Sequence, residues 1–316
     1  MAEKDKDLLA AARDRMTLAI SAWSETREDE LEDLRFYAGS PSNHWQWPAD
    51  VLATRGSVQG QSINARPTLT INKLPQHVRQ VTNDQRQNRP SGKVIPADDK
   101  GDVEVAEIFD GIVRHIEYIS DADVAYDTAC ENQVAYGEGY IRILTEYTDP
   151  TSFDQDIKIG RVRNSFSVYM DPMIQDPCGS DAQWCFITED IPVDEYERQY
   201  PNAQPISSLQ DQGVGDQSVS QWVNDETVRV ADYYYIEHTK KTLNLYYGNV
   251  SALSGSPEDK QMVALGMKPI RSREVDIKQV KYCKINGFEV LERNDWAGSH
   301  IPVVRVIGNE FEVDGQ

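Results

Sequence analysis

The sequence predicts an α+β fold: N-terminal helices and a long helical region packed on antiparallel hairpins, then a β-rich C-terminal part. Three observations carry this. Val105, Ile108, Phe109, Ile112, Val113, Ile116 and Ile119 recur at helical spacing and form a wide apolar stripe. Residues 140–147 alternate as a strand, and 157–162 follow a polar turn as the returning strand of a hairpin. From Val228 onward, residues 228–237, 242–247, 274–286 and 289–292 are strand-like. The 316 residues allow two domains, at ~150 residues per domain. Only 39% of them are hydrophobic, against the ~45–50% usual for globular chains. A flat or elongated protein, partly covered by copies of itself, reconciles that length with that polarity.

Residues 7–37 predict one helix or a helix pair, with Leu8, Ala11, Ala12, Met16, Ala19, Ile20, Trp23, Leu31 and Leu34 at helical spacing. Asp29, Glu30, Glu32 and Asp33 read as a solvated face. Residues 39–65 break the pattern, and Trp45 and Trp47 there read as anchors pinning a loop. Residues 68–71 read as a short extended piece. Pro75 opens a helix over residues 76–89, which Pro90 closes. Only Leu74, Val78 and Val81 make an apolar stripe on it. Gln76, Arg79, Gln80, Asn83, Arg86 and Arg89 present amide and guanidinium donors that need partners in solvent, a ligand or a neighbouring subunit.

Residues 90–101 read as a linker with a short strand at Val94-Ile95, and Asp98, Asp99 and Asp102 as polar turn residues. In the long helical region 103–136, Asp121 and Asp123 mark a break or cap, and Gly137 and Gly139 stop it. His115 reads as a core or boundary histidine. The carboxylates Asp149, Asp154 and Asp156 lack the ligand pattern of a calcium loop and read as a hairpin turn. Residues 166–171 predict a strand ended by Pro172, 184–188 another, and 193–200 a short acidic helix capped by Pro201. Residues 202–224 have almost no apolar periodicity and mark a loop or internal boundary. Lys240-Lys241 and Asn286-Gly287 sit where tight turns belong, and 248–268 looks like a loop. Pro302 makes 301–307 an edge strand or a strand start.

The formal charge of −20 comes from 52 acidic and 32 basic side chains. A domain that grips duplex DNA by neutralising phosphates wants a basic surface, so this balance argues against one. A protein that surrounds DNA without gripping it stays compatible, since a wall of like charge resists sticking. Residues 1–16 hold no apolar core of a secretory signal. No apolar run approaches the ~18–20 residues of a membrane span. Cys130, Cys178, Cys185 and Cys283 are too few for a disulfide framework and fit synthesis in a reducing cytoplasm. Phosphate-cradling and nucleophile-turn motifs are missing, Cys178 and Cys185 do not make a zinc knuckle, and five histidines are scattered singly. No active site, metal or cofactor is expected.

The run RPTLTINKLPQHVRQVTNDQRQNRPSGKVIP, then EVAEIFDGIVRHIEYISDADVAYDTACENQVAYGEGYIRI, resembles the portal protein of short-tailed bacteriophages. Asp171-Pro172, the run Val230-Ala231-Asp232-Tyr233-Tyr234-Tyr235 and Ile301-Pro302-Val303-Val304 match that family in order. The resemblance covers most of the chain from about Arg66.

It implies a ring of twelve copies at one capsid vertex, through which double-stranded DNA passes without sequence-specific binding during packaging and ejection. It also implies docking of the terminase large subunit, of capsid and scaffolding proteins and of tail adaptors, in a virion assembled in the host cytoplasm. On this view residues 1–64 are an N-terminal helical segment with its Trp loop, 65–201 an α/β wing core and 202–224 a polar loop. Residues 225–316 are a β-rich segment leading towards a stem that a longer chain would carry. Gln76, Arg79, Gln80, Asn83, Arg86 and Arg89 become candidates for subunit contact. The alternatives are a monomeric β-rich binding or attachment module, and a metal-dependent nuclease using Asp98, Asp99, Asp102 and Glu104.

Overall fold

A computed structural model describes residues 3–39, 71–89, 91–96, 102–203, 222, 226–248 and 250–308. The expectations for Trp45, Trp47, Asp98, Asp99, most of 66–71 and most of 202–224 lie outside the described residues. The fold is mixed, with antiparallel sheets and a β-rich C-terminal part. It divides into two units: Met1–Ala19, Tyr169–Met173 and Asp181–Ile301 form a β unit, and Ile20–Val168, Ile174–Ser180 and Pro302–Gln316 a helical one. The first helix, α1 (Glu3–Ala22), supplies residues to both.

In the helical unit, α2 (Ser24–Ala38), α3 (Leu74–Gln87), α4 (Val103–Ile119) and α5 (Ala122–Tyr136) accompany a sheet of order β2-β1-β9. Its strands are β1 (Glu138–Tyr147), β2 (Gln155–Arg161) and β9 (Val303–Ile307), all antiparallel, with Ile143 opposite Ile159 and Tyr140 opposite Arg305. The break between α4 and α5 falls at Asp121, whose φ of 49° suits aspartate better than most side chains. Gly137, at φ 107°, ends α5.

Helix α5 is the centre of this unit, lying on β1 and β2 with α2, α3 and α4 against it. It can approach because its buried residues include Ala122, Ala125 and Ala129. The contact is closest at Gly139, where a Cβ would lie 2.0 Å from the Ala129 carbonyl oxygen. At the far edge Pro302 carries no N–H to lose, and its carbonyl accepts from Ile143 N at 2.8 Å.

Charge is buried beside this sheet. Arg305, 8% exposed, donates through Nε to Glu138 Oε1 at 2.9 Å and stacks its guanidinium 5.4 Å from the Trp23 ring. Tyr140 Oη donates to Glu138 Oε2 at 2.7 Å. Glu30 of α2, expected on a solvated face, is 7% exposed. Its carboxyl is pushed up to about 7 by burial and then by Glu138, against the pull of Arg27 and Arg305, with Asp33 also raising it; Tyr136 of α5 feels its charge. The folded state therefore holds this proton more tightly than the unfolded chain. Stability is full below pH ~4.5 and is lost as pH rises to ~7, by about 3 kcal/mol at ~1.4 kcal/mol per unit. Glu30→Gln is expected to remove that loss: a higher Tm at pH 8 and little change at pH 5, read by thermal melts. Parallel pH dependence in both proteins would reject this account.

The β unit is a six-stranded antiparallel sheet of order β3-β4-β5-β7-β8, with β6 paired to β5. Its strands are β3 (Val168–Met170), β4 (Trp184–Pro192), β5 (Thr227–Tyr246), β6 (Val250–Leu253), β7 (Arg271–Ile285) and β8 (Val290–Asp295). Two short helices join them, α6 (Val193–Gln199) and α7 (Pro257–Ala264). Both faces of early β5 are buried, through Val228 and Val230 on one parity run and Ala231, Tyr233 and Tyr234 after it. Phe186 stacks on Tyr233 at 4.3 Å and Tyr233 on Tyr235 at 5.1 Å. In the α1 segment of this unit, Leu9, Ala12 and Met16 are buried and Arg15 donates to Tyr233 Oη.

Several local expectations change. Lys240 and Lys241 lie inside an unbroken β5, opposite Asp276 and Val275, in a ladder with β7 that continues without interruption from Ala231 to Leu245. Residues 248–268 hold β6 and α7; the Ser256 side chain caps α7 by accepting from Asp259 N, and Pro257 takes its first turn. Phe166 and Ser167 sit in a 3₁₀ turn, since the Asn164 side chain accepts from Phe166 N. Val94 and Ile95 form no strand; Val94 N donates to Asp110 Oδ1 instead. His115 is exposed. The Asn286-Gly287 turn is present, with Asn286 Oδ1 accepting from Phe288 N and Glu289 N and Gly287 at φ 85°.

Candidate functional site

Helix α3 is set in place by one side chain. Asn72 Oδ1 accepts from Leu74 N at 3.1 Å, while its Nδ2 donates to the Tyr37 carbonyl at 2.8 Å and the Phe36 carbonyl at 3.3 Å. One amide thus satisfies the end of α2 and the start of α3. Pro75 sits in the first turn, where its missing N–H costs nothing. Val78 and Thr82 are buried, whereas Leu74 and Val81 face solvent.

All six polar residues singled out on α3 and just beyond it are exposed in the single chain: Gln76, Arg79, Gln80, Asn83, Arg86 and Arg89. Two of them reach α5. Arg86 Nε donates to Asp127 Oδ2 at 3.1 Å and lies 3.8 Å from Glu131. Arg89 pairs with Asp123 and lies 3.2 Å from Asp127. Surface pairs of this kind contribute ~0–1 kcal/mol each, so they align the helices more than they hold them. Beside this corner opens a pocket of about 560 Å³. Gln85, Arg89, Glu117, Tyr126, Cys130 and Ile141 are among its walls. Tyr126 donates to Glu117 Oε1, and burial followed by that carboxylate pushes its phenol up to about 12; burial also raises the Cys130 thiol.

Sequence reasoning found the apolar stripe of α4 but not its direction. Asp102 caps the helix by accepting from Glu104 N at 2.9 Å, and Arg114 pairs with Asp110 at 2.8 Å. Only Ala106 is fully buried; Val105, Ile108, Phe109, Ile112 and Val113 are exposed, Ile108 to 57%. Ile116 and Ile119 are half-buried. A contiguous apolar face of this kind marks an interaction site, since monomers rarely leave one open. The same helix carries Glu104 and Glu107 exposed, while Asp110 and Glu117 are half-buried and engaged within the chain. The signal that could have revealed this face was the stripe's width combined with the absence of a second equally apolar helix to cover it.

Among the described residues no group of three His, Cys, Asp or Glu could hold a metal ion, and no helix is long and apolar enough to cross a membrane. The helical unit presents helices whose apolar and polar faces are exposed among the described residues. A comparison with protein-family models is consistent with that picture: the model described as "Phage P22-like portal protein" matches residues 13–316. That span is nearly the whole chain, and the chain belongs to the phage P22-like portal protein family.

Proposed function

We propose that this chain forms a ring at one vertex of a phage capsid, a conduit for double-stranded DNA during packaging and ejection. Family membership supports a structural role in the virion and a homo-oligomeric ring. The observation that carries the reading is the α4 face, where aliphatic and aromatic side chains are exposed among the described residues, as at a surface that meets another molecule. The expected copy number is twelve. The terminase large subunit, capsid and scaffolding proteins and tail adaptors dock on the assembled ring. No catalytic residue takes part, and the net charge of −20 keeps the passing phosphates from sticking. An electron micrograph of the purified chain tests the class directly. Rings with an axial hole are expected; a population of monomers at all concentrations would favour a lone binding or attachment module.

The exposed polar residues Gln76, Arg79, Gln80, Asn83, Arg86 and Arg89 take part in contacts with a neighbouring copy. Removing one member of a desolvated charge pair typically costs ~2–5 kcal/mol. Arg79→Glu combined with Arg86→Glu is expected to raise the concentration needed for assembly at least tenfold, measured by sedimentation velocity. Because Arg86 also pairs with Asp127 in its own chain, the monomer's Tm is measured alongside. Unchanged assembly would remove these residues from the interface.

A further inference from the structure

The β unit carries a surface that the ring reading leaves unused. Beyond Tyr235, β5 loses its pairing with β4, and below Lys281, β7 loses its pairing with β8. From there the two strands pair with each other as far as Leu245 and Arg271, and β6 joins β5 only at its end. At ~3.3 Å per residue this ribbon is about 35 Å long. Residues 237–242 are exposed at successive positions, so among the described residues both faces of the ribbon are open there, apart from the contact of His238 with Gln183. The ribbon ends in β6 and α7, folded around a buried carboxylate: Asp259 accepts from Tyr246 Oη at 2.6 Å, Asn244 Nδ2 at 3.0 Å and Gly255 N at 2.9 Å. The tip is therefore built, not frayed. It nonetheless leaves Tyr247, Val263, Leu265, Met267 and Ile270 exposed, Leu265 to 71% and Ile270 to 65%.

Charge distinguishes this tip from the rest of the chain. Residues 240–276, the far ends of β5 and β7 with all that lies between them, hold six cations, Lys240, Lys241, Lys260, Lys268, Arg271 and Arg273, and four carboxylates, one of them the buried Asp259, in a chain of net charge −20. All six cations are exposed, and none forms a salt bridge among the described residues. Helix α4 has the opposite balance: its apolar side chains share the helix with the exposed carboxylates Glu104 and Glu107, while the cation Arg114 is already paired with Asp110. Apolar surface on both sides favours burial, and opposite charges favour register.

Resting on the ring reading, we infer that the basic, apolar tip at β6 and α7 of one copy docks on the apolar α4 face of the next copy, where Glu104 and Glu107 are exposed. Tip against tip, or α4 against α4, brings like charges together, so a two-fold pairing of either surface is disfavoured. Joining two different surfaces gives a head-to-tail contact, which each copy makes once on either side and which closes into a ring when the rotation allows. Duplex DNA is the weaker partner for the tip. Phosphates reward the cations and leave five exposed apolar side chains without a role.

The test places a photo-crosslinking benzoylphenylalanine at Leu265, in full-length chain assembled with isotope-labelled wild type. Mixed-isotope crosslinks to residues 103–119 are expected. Crosslinks within one chain, or to another part of the neighbour, overturn the inference while leaving the ring standing; failure of the wild type to form rings overturns both. Charge reversal supplies a second reading. Lys268→Glu with Arg271→Glu, or Glu104→Lys with Glu107→Lys, should each raise the assembly concentration at least tenfold, and the four changes together should restore it. Circular dichroism confirms that each variant is folded. Normal assembly by both two-site variants overturns the inference, as does normal assembly of the tip variant with loss of DNA retention.

Discussion

Arg305→Met is expected to destabilise the helical unit by ~3–5 kcal/mol, the usual cost of breaking a buried pair by removing one partner. The substitution keeps much of the aliphatic volume over Trp23 but leaves the largely desolvated Glu138, 15% exposed at its side chain, without its cation, with Glu30 close by. Arg305 currently lowers the cost of holding both carboxyls inside. The deficit should be largest at pH 8 and shrink towards pH 5, as Glu30 takes up its proton. Adding Glu30→Gln should recover part of it at pH 8, because one of the two uncompensated charges is then gone. Chemical denaturation at the two pH values measures this. A pH-independent loss under ~1 kcal/mol would show that the pair is solvated and worth no more than a surface bridge.

Gly139→Ala is the second large effect. No other residue type fits where a Cβ would stand 2.0 Å from the Ala129 carbonyl oxygen and 2.9 Å from its Cα. Both neighbours are backbone, so no side chain can rotate away, and α5 must lift from β1. Overpacking of a core costs ~1–3 kcal/mol and more where the obstacle is rigid; ~3 kcal/mol or above is expected here. The control is Gly111→Ala on α4, where no atom lies within 4 Å of the added methyl. Since alanine is the better helix former by ~1 kcal/mol, Gly111→Ala should stabilise slightly. Equal melting temperatures for the two variants would reject the close-contact account.

Most of the helices and hairpins could be read from the chain. The apolar spacing of residues 103–119, the stop at Gly137 and the alternation in β1 each express one local rule, and local rules are visible in sequence. Three things could not be read that way. Glu30 sits among acidic neighbours in sequence and looks solvated; it is buried instead, and the charges that act on it there, Glu138 and Arg305, lie far along the chain. Lys240-Lys241 reads as a turn because two adjacent cations are poor strand formers, yet the ladder with β7 continues through both positions. Periodicity reports that α4 has an apolar face and is silent on what meets it, so an inward and an outward helix share one pattern. The interface candidates on α3 share that limit. Their donors were evident, but that Arg86 and Arg89 also turn to α5 depends on the docking that Asn72 sets.

The ribbon of β5 and β7 has a mechanical meaning. Along residues 237–242, which are exposed, no third strand joins the ribbon among the described residues, so mainly its own ladder and the contacts of His238 with Asp276 and Gln183 oppose twisting. A foot mounted on such a stalk can swivel through small angles while its own folded contacts stay intact. In a ring joined as proposed above, copies would behave as links with a compliant hinge between them, absorbing a mismatch in circumference that rigid blocks would pass on as fracture.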